Sequence, residues 1–185
     1  MCAIAGILGL PYDAKILESF FNTMLHRGPD GTGSYMEREC CLLHSRLAII
    51  DPEGGRQPMS LFWEGESYVI TYNGELYNTL GLRSSLESLG HVFLTYSDTE
   101  VVLHAYAQWK EHCVNKFNGI FAFGVWEKNK KRLFLARDRV GVKPLFYTQF
   151  SGGLLFSSEL KTLLSYPGVP RELTKEDAAQ VILMG

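Results

Sequence analysis

The sequence is short of most features that would assign it to a specialised class. Among 185 residues it has only four cysteines, Cys2, Cys40, Cys41 and Cys113. They form no CxxC pair and no Cys/His ligand spacing, so neither a disulfide framework nor a metal site is indicated. Reduced thiols in a cytoplasmic setting are the simplest expectation. The net charge is only −2, which argues against a dedicated nucleic-acid or membrane surface. No apolar run approaches the ~20 residues needed to span a bilayer. The first apolar stretch lacks a basic flank and meets Pro11, Asp13 and Lys15 at once, so a secretory signal is not expected. Linker-like, low-complexity and repeated segments are also missing, and one domain over residues 1–185 is expected.

What is present begins at the second residue. In Met1-Cys2-Ala3-Ile4-Ala5-Gly6-Ile7-Leu8-Gly9, a cysteine precedes an apolar, glycine-punctuated run that reads as a buried strand. Removal of Met1 would make Cys2 the N-terminus, with a thiol and a free α-amine on one residue. A free α-amine titrates at about 7.7–8.0 and a thiol at about 8.5, so the amine can take the thiol's proton near neutral pH. A cysteine at the start of a buried strand also serves as a small hydrophobe, and this stretch alone leaves both readings open.

Along the chain, Asp13 can cap a helix through about Leu25, with Ile16, Leu17, Phe20, Phe21, Met24 and Leu25 on one face. Gly28-Pro29 stops it. Strand-like pieces follow near 33–37, 40–44, 46–50, 61–63 and 67–72. Asn73-Gly74 is a turn signal by itself, although a helix near 79–89 follows rather than a partner strand. Ser97-x-x-Glu100 forms a capping box for a helix through about Glu111. Strands are expected near 120–127, 132–137, 144–149 and 153–157, with Ser151-Gly152-Gly153 as a hairpin turn. Helical pieces close the chain at 160–165 and 174–184. Helices grouped between runs of short-linked strands predict an α+β architecture of two packed, mainly antiparallel sheets with helices outside.

Several segments then fall into order: Met1-Cys2, His26-Arg27-Gly28-Pro29-Asp30-Gly31, His44-Ser45-Arg46-Leu47-Ala48-Ile49-Ile50-Asp51, Tyr72-Asn73-Gly74-Glu75-Leu76-Tyr77-Asn78, Ser97-Asp98-Thr99-Glu100, Phe117–Phe123, Arg137–Tyr147 and Ser157–Lys161. Together they closely resemble the class II glutamine amidotransferase domain found at the N-terminus of glutamine-hydrolysing asparagine synthetases. The resemblance implies the N-terminal-nucleophile hydrolase fold, a four-layer αββα sandwich. It implies Cys2 as nucleophile, with Asn73 and the Gly74 N–H as oxyanion donors. Arg46 would clamp the substrate carboxylate, Glu75 and Asp98 would accept its ammonium, and Leu47, Ile49 and Ile50 would line the pocket. The plainer roles for these residues are a hairpin turn at Asn73-Gly74, a surface ion pair for Arg46 and first-turn helix stabilisation for Asp98.

The resemblance also implies that no histidine acts as base, so His26, His44, His91, His104 and His112 are read as structural. Arg137-Asp138 is read as a buried ion pair. L-glutamine is the expected ligand, and a synthetase domain or partner would receive the ammonia. No cofactor is expected for this domain. ATP and magnesium belong to the synthetase part, which this sequence does not contain. Pairing as a homodimer is left open. Two alternatives stand beside this reading. One is the same domain serving another acceptor, as in phosphoribosylamine or glucosamine-phosphate synthesis. The other is a catalytically silent glutamine- or partner-binding domain, expected where Met1 is retained and acylates the amine.

Overall fold

A computed structural model describes residues 1–48 and 54–171. The chain opens on β1 (Ala3–Leu8), whose residues are almost all buried because both faces of the strand are covered. Asp13 then caps α1 (Ala14–Met24), accepting a hydrogen bond from the Ile16 N–H at 2.9 Å. β2 (Gly31–Glu37), β3 (Cys40–Arg46), β4 (Met59–Trp63) and β5 (Glu66–Leu76) follow. α2 (Thr79–Glu87) and α3 (Asp98–Trp109) come next, with a 3-10 segment over Lys110–Lys116. β6 (Gly119–Glu127), β7 (Arg132–Arg137), β8 (Phe146–Phe150), β9 (Gly153–Ser157) and the short α4 (Leu160–Leu164) complete the described elements.

The described strands form two antiparallel sheets, ordered β2-β3-β1-β9-β8 and β4-β5-β6-β7. Among the described residues, three apolar clusters fill the spaces between layers. Phe20 and Met24 of α1 and Leu163 of α4 pack on Ala3, Ala5, Ile7, Cys41 and Leu43. On the far side, Leu82 and Leu86 of α2 and Val102 and Tyr106 of α3 pack on Ile70, Tyr72 and Phe123. Between the sheets lie Ile4, Leu42, Val69, Ala122 and Phe156. Period-two alternation sends neighbouring residues of β1, β3 and β5 to opposite faces, and the result is the αββα sandwich anticipated above.

Several expectations change on contact with the structure. Asn73-Gly74 is not a turn. β5 runs straight through it, with Asn73 opposite Ala122 and Gly74 opposite Phe121. β6 arrives from more than forty residues away and supplies the ladder partners that override the local turn preference. The strand piece at 46–50 keeps only Arg46, which ends β3; Leu47 and Ala48 are irregular, and 49–50 lie outside the described residues, as does the helix expected at 174–184. The capping box is half formed. Ser97 accepts from the Thr99 N–H, but the Glu100 carboxylate turns to the Leu94 and Thr95 N–H groups, both at 2.8 Å. Arg137 and Asp138 do not pair with each other. Arg137 donates to the carbonyls of Lys143 and Gly141, while Asp138 accepts from the Phe121, Val142 and Lys143 N–H groups. Both residues fold the 138–143 loop around main-chain partners. Ser151-Gly152 is the expected β8–β9 turn, with φ of 47° and 80°.

Candidate active site

Cys2 sits just ahead of β1, at the end of the five-stranded sheet. Ala3 pairs with Ser45, and continuing that register by one residue sets Cys2 beside Arg46. Its Sγ accepts from the Leu47 N–H at 3.4 Å and approaches the Leu47 carbonyl at 3.6 Å. Leu47, expected to line the substrate pocket, therefore borders the Cys2 thiol itself.

The loop after α1 holds this end in place. Arg27 Nε donates to the Cys2 carbonyl at 3.2 Å, and its Nη1 pairs with Glu159 at 2.8 Å. Asp30 ties down the segment after β3: its N–H donates to the Arg46 carbonyl, and its carboxylate accepts from the Ala48 N–H at 2.8 Å. Gly28 has no room for a side chain, since a Cβ there would lie 2.3 Å from the Ser45 carbonyl carbon. The His26–Gly31 motif thus builds the wall beside Cys2.

The second sheet supplies the facing wall. Asn73 is 2% exposed, and its Nδ2 is buried without a hydrogen-bond partner among the described residues. Such a donor carries its full desolvation cost until something accepts from it. At Gly74 a Cβ would meet the Ile120 carbonyl oxygen at 2.6 Å and the Tyr72 ring at 2.7 Å, so only glycine brings the backbone this close. Asp98, the first residue of α3, accepts from the Tyr72 hydroxyl at 2.9 Å and the Leu76 N–H at 3.3 Å. Burial raises its carboxyl above the usual range, the largest effect, against the lowering pull of the Tyr72 hydroxyl. Glu75 is exposed at the rim.

These residues surround one cavity of about 110 Å³, walled by Cys2, Arg46, Leu47, Asn73, Gly74, Glu75 and Asp98. Ile49 and Ile50 lie outside the described residues. Met1 also lines the cavity; its amine donates to the Arg27 carbonyl at 3.1 Å, and its Sδ accepts from Lys143 Nζ at 3.5 Å.

Three neighbours escaped sequence reasoning. Gln57 clasps Tyr72, accepting from its N–H at 2.6 Å and donating to its carbonyl at 3.1 Å; nothing in the sequence marked it. Lys143 enters from the Arg137–Tyr147 motif and is 8% exposed. His44, read as purely structural, lines the cavity and is 1% exposed. Its place two residues before Arg46 on one strand was the available signal. Among the described residues there is no cluster of three His, Cys, Asp or Glu fit to hold a metal, and no helix long and apolar enough to cross a membrane.

Residues 1–184 match the family described as a glutamine amidotransferase domain. The chain belongs to this family. As an amidotransferase domain it is 43% identical, along its whole length, to the glutamine-hydrolysing asparagine synthetase 3 of Bacillus subtilis. It is also 40% identical over 169 residues to asparagine synthetase 2 of Oryza sativa. The chain spans 31% and 28% of those two proteins. The glutamine phosphoribosylpyrophosphate amidotransferase of Bacillus subtilis shares the domain's fold, with a TM-score of 0.74 at 20% identity, over 89% of this chain and 43% of that one.

Proposed function

We propose that this amidotransferase domain hydrolyses the side-chain amide of L-glutamine through Cys2 and supplies the ammonia for asparagine synthesis. Loss of Met1 frees the α-amine of Cys2. The amine takes the thiol proton as sulfur attacks the amide carbon, and the developing oxyanion is met by Asn73 Nδ2 and the Gly74 N–H. The same amine returns the proton to the leaving nitrogen, ammonia departs, and a thioester remains. Water, deprotonated by the amine, then attacks the thioester and releases glutamate. Arg46 receives the substrate α-carboxylate in a two-pronged fashion. Asp98 and Glu75 receive its ammonium, and Leu47 holds sulfur from the side.

The observation that carries this reading is the unpartnered Asn73 donor, buried in the same cavity as Cys2 Sγ. The asparagine branch is supported by the two relatives' names and by their identity along this chain. The ATP and magnesium of amide synthesis belong, in this reading, to a synthetase part that takes the ammonia. With Met1 in place the amine is acylated and the side chain of Met1 fills one wall, so that form is silent.

Treatment with 6-diazo-5-oxo-norleucine, followed by intact mass and N-terminal peptide mapping, tests the assignment. A chain lacking Met1 and labelled on Cys2 supports it. A chain lacking Met1, folded yet unlabelled, overturns it in favour of a binding module.

A further inference from the structure

Besides Asn73, a second residue lining the cavity has a buried polar side-chain atom without a hydrogen-bond partner among the described residues. His44 lies on β3 directly across from Ile4 of β1. Ile4 and Leu42 face the space between the sheets, so the pleat sends His44 to that same face, two residues below Arg46 and diagonal to Cys2. Its Nε2 is buried and has no hydrogen-bond partner among the described residues. The backbone of Tyr72 acts on the ring as a hydrogen-bonding neighbour that raises its protonation. The Tyr72 N–H is already given to Gln57 Oε1, which leaves the Tyr72 carbonyl as the group the ring meets. With Nε2 unpartnered, Nδ1 is the nitrogen left to face this carbonyl, and the ring proton is assigned to it. Burial, followed by the charge of Arg46, holds the imidazole at about 4, against a raising effect from the Tyr72 bond. In the neutral ring Nε2 is then a bare acceptor.

One cavity thus contains one unmet donor, Asn73 Nδ2, and one unmet acceptor, His44 Nε2. A carboxamide carries the complement of that pair: an oxygen that accepts and an NH₂ that donates. A carboxylate has no donor, and its second oxygen would face the lone pair of His44. We propose that His44 Nε2 accepts a hydrogen bond from the NH₂ of the glutamine carboxamide and selects glutamine over glutamate. This rests on the glutaminase reading above. The leaving nitrogen keeps its N–H donors throughout, so the contact persists as ammonia forms. Once glutamate occupies the site the contact turns repulsive, which favours product release.

The test uses the full chain carrying Cys2→Ala, purified without Met1, titrated calorimetrically with L-glutamine and with L-glutamate. Glutamine is expected to bind more tightly. Adding His44→Phe should weaken glutamine by about tenfold, the usual order for one lost hydrogen bond in a buried site, while glutamate changes by less than about twofold. His44→Gln, which can present an acceptor oxygen, should recover part of the glutamine affinity. Equal loss for both ligands, or an unchanged ratio with only a lower Tm, would make His44 a core residue and overturn the inference alone. A folded Cys2→Ala chain that binds neither ligand would overturn the glutaminase reading and this inference with it. Should His44→Phe fail to fold, the ¹⁵N resonance of His44 Nε2 in the Cys2→Ala chain decides. It should move toward the hydrogen-bonded range with glutamine and not with glutamate; equal movement with both sinks the proposal.

Discussion

Two residues facing the cavity have duties that kinetics can separate. Asn73 is buried with its amide donor unspent, and in the proposed mechanism its value appears when negative charge develops on the substrate oxygen. Asn73→Ala should lower kcat by about 10²–10³ with little change in KM. Arg46 lines the same cavity but, in the proposed mechanism, meets a charge that is present before the reaction starts. Arg46→Ala should chiefly raise the KM for glutamine and leave kcat near its original value, measured as glutamate release. If the two patterns were exchanged, the division into oxyanion donor and carboxylate clamp would be wrong. The remaining three cysteines belong to a different class. Burial pushes the thiols of Cys41 and Cys113 up to about 12, and that of Cys40 higher still. Thiols held neutral in this way make poor nucleophiles, so alkylation of the folded, processed chain should fall on Cys2.

Among the elements, the loop from Arg27 to Asp30 does the most to place the site. It is not a catalytic loop in any chemical sense. Its groups bind the backbone of Cys2, Arg46 and Ala48, and a short parallel bridge joins Pro29 to Arg46. The packing is tightest at Gly28, where the loop backbone touches the end of β3. Gly28→Ala would force these two segments apart, at a cost of about 1–3 kcal/mol by the usual scale of overpacking. The expected result is a lower Tm in thermal melts, together with a lower kcat/KM, because the displaced segment carries both Arg46 and the Leu47 groups on Cys2 Sγ. An unchanged Tm would mean that the loop yields freely and does not fix the site.

The whole molecule stores its sensitivity to acid in buried groups spread over both sheets and α3. His104, held at about 4 chiefly by burial and then by the neighbouring His91, bonds to His91 Nδ1 at 2.8 Å. His44 is depressed to about 4 as well. Both take up a proton in the unfolded chain at about 6.5, so they leave stability untouched above that pH and withdraw it as pH falls from 6.5 toward 4. Glu127 acts lower down. Burial raises its carboxyl, but the hydrogen bonds from Tyr106, Arg132 and Lys130 outweigh this and hold it below 4.5. Its contribution is complete above about 4.5 and is lost as pH falls through its lowered folded value. Melting temperatures should therefore decline from pH 7 to pH 4 and more steeply below. His104→Gln should flatten the upper part of that decline; a parallel curve would show that the histidine pair carries no share of it.

By itself, the sequence determined the elements whose causes are local. The cap at Asp13, the apolar face of α1, the Ser151-Gly152 turn and the short hairpins of the last strands were all legible, because each depends on residues a few positions apart. So were the layered architecture and the family, and with the family the candidate nucleophile, oxyanion pair and substrate clamp. Only the tertiary structure decided the rest. Asn73-Gly74 reads as a turn until β6 is laid against it, and Arg137-Asp138 reads as an ion pair until the 138–143 loop claims both side chains. Gln57, Lys143 and His44 gain meaning only from what they face across the cavity. Sequence carries period and propensity along one strand. Which donor is left unpaired, and which residues share its cavity, is settled only when two distant strands close on the same space.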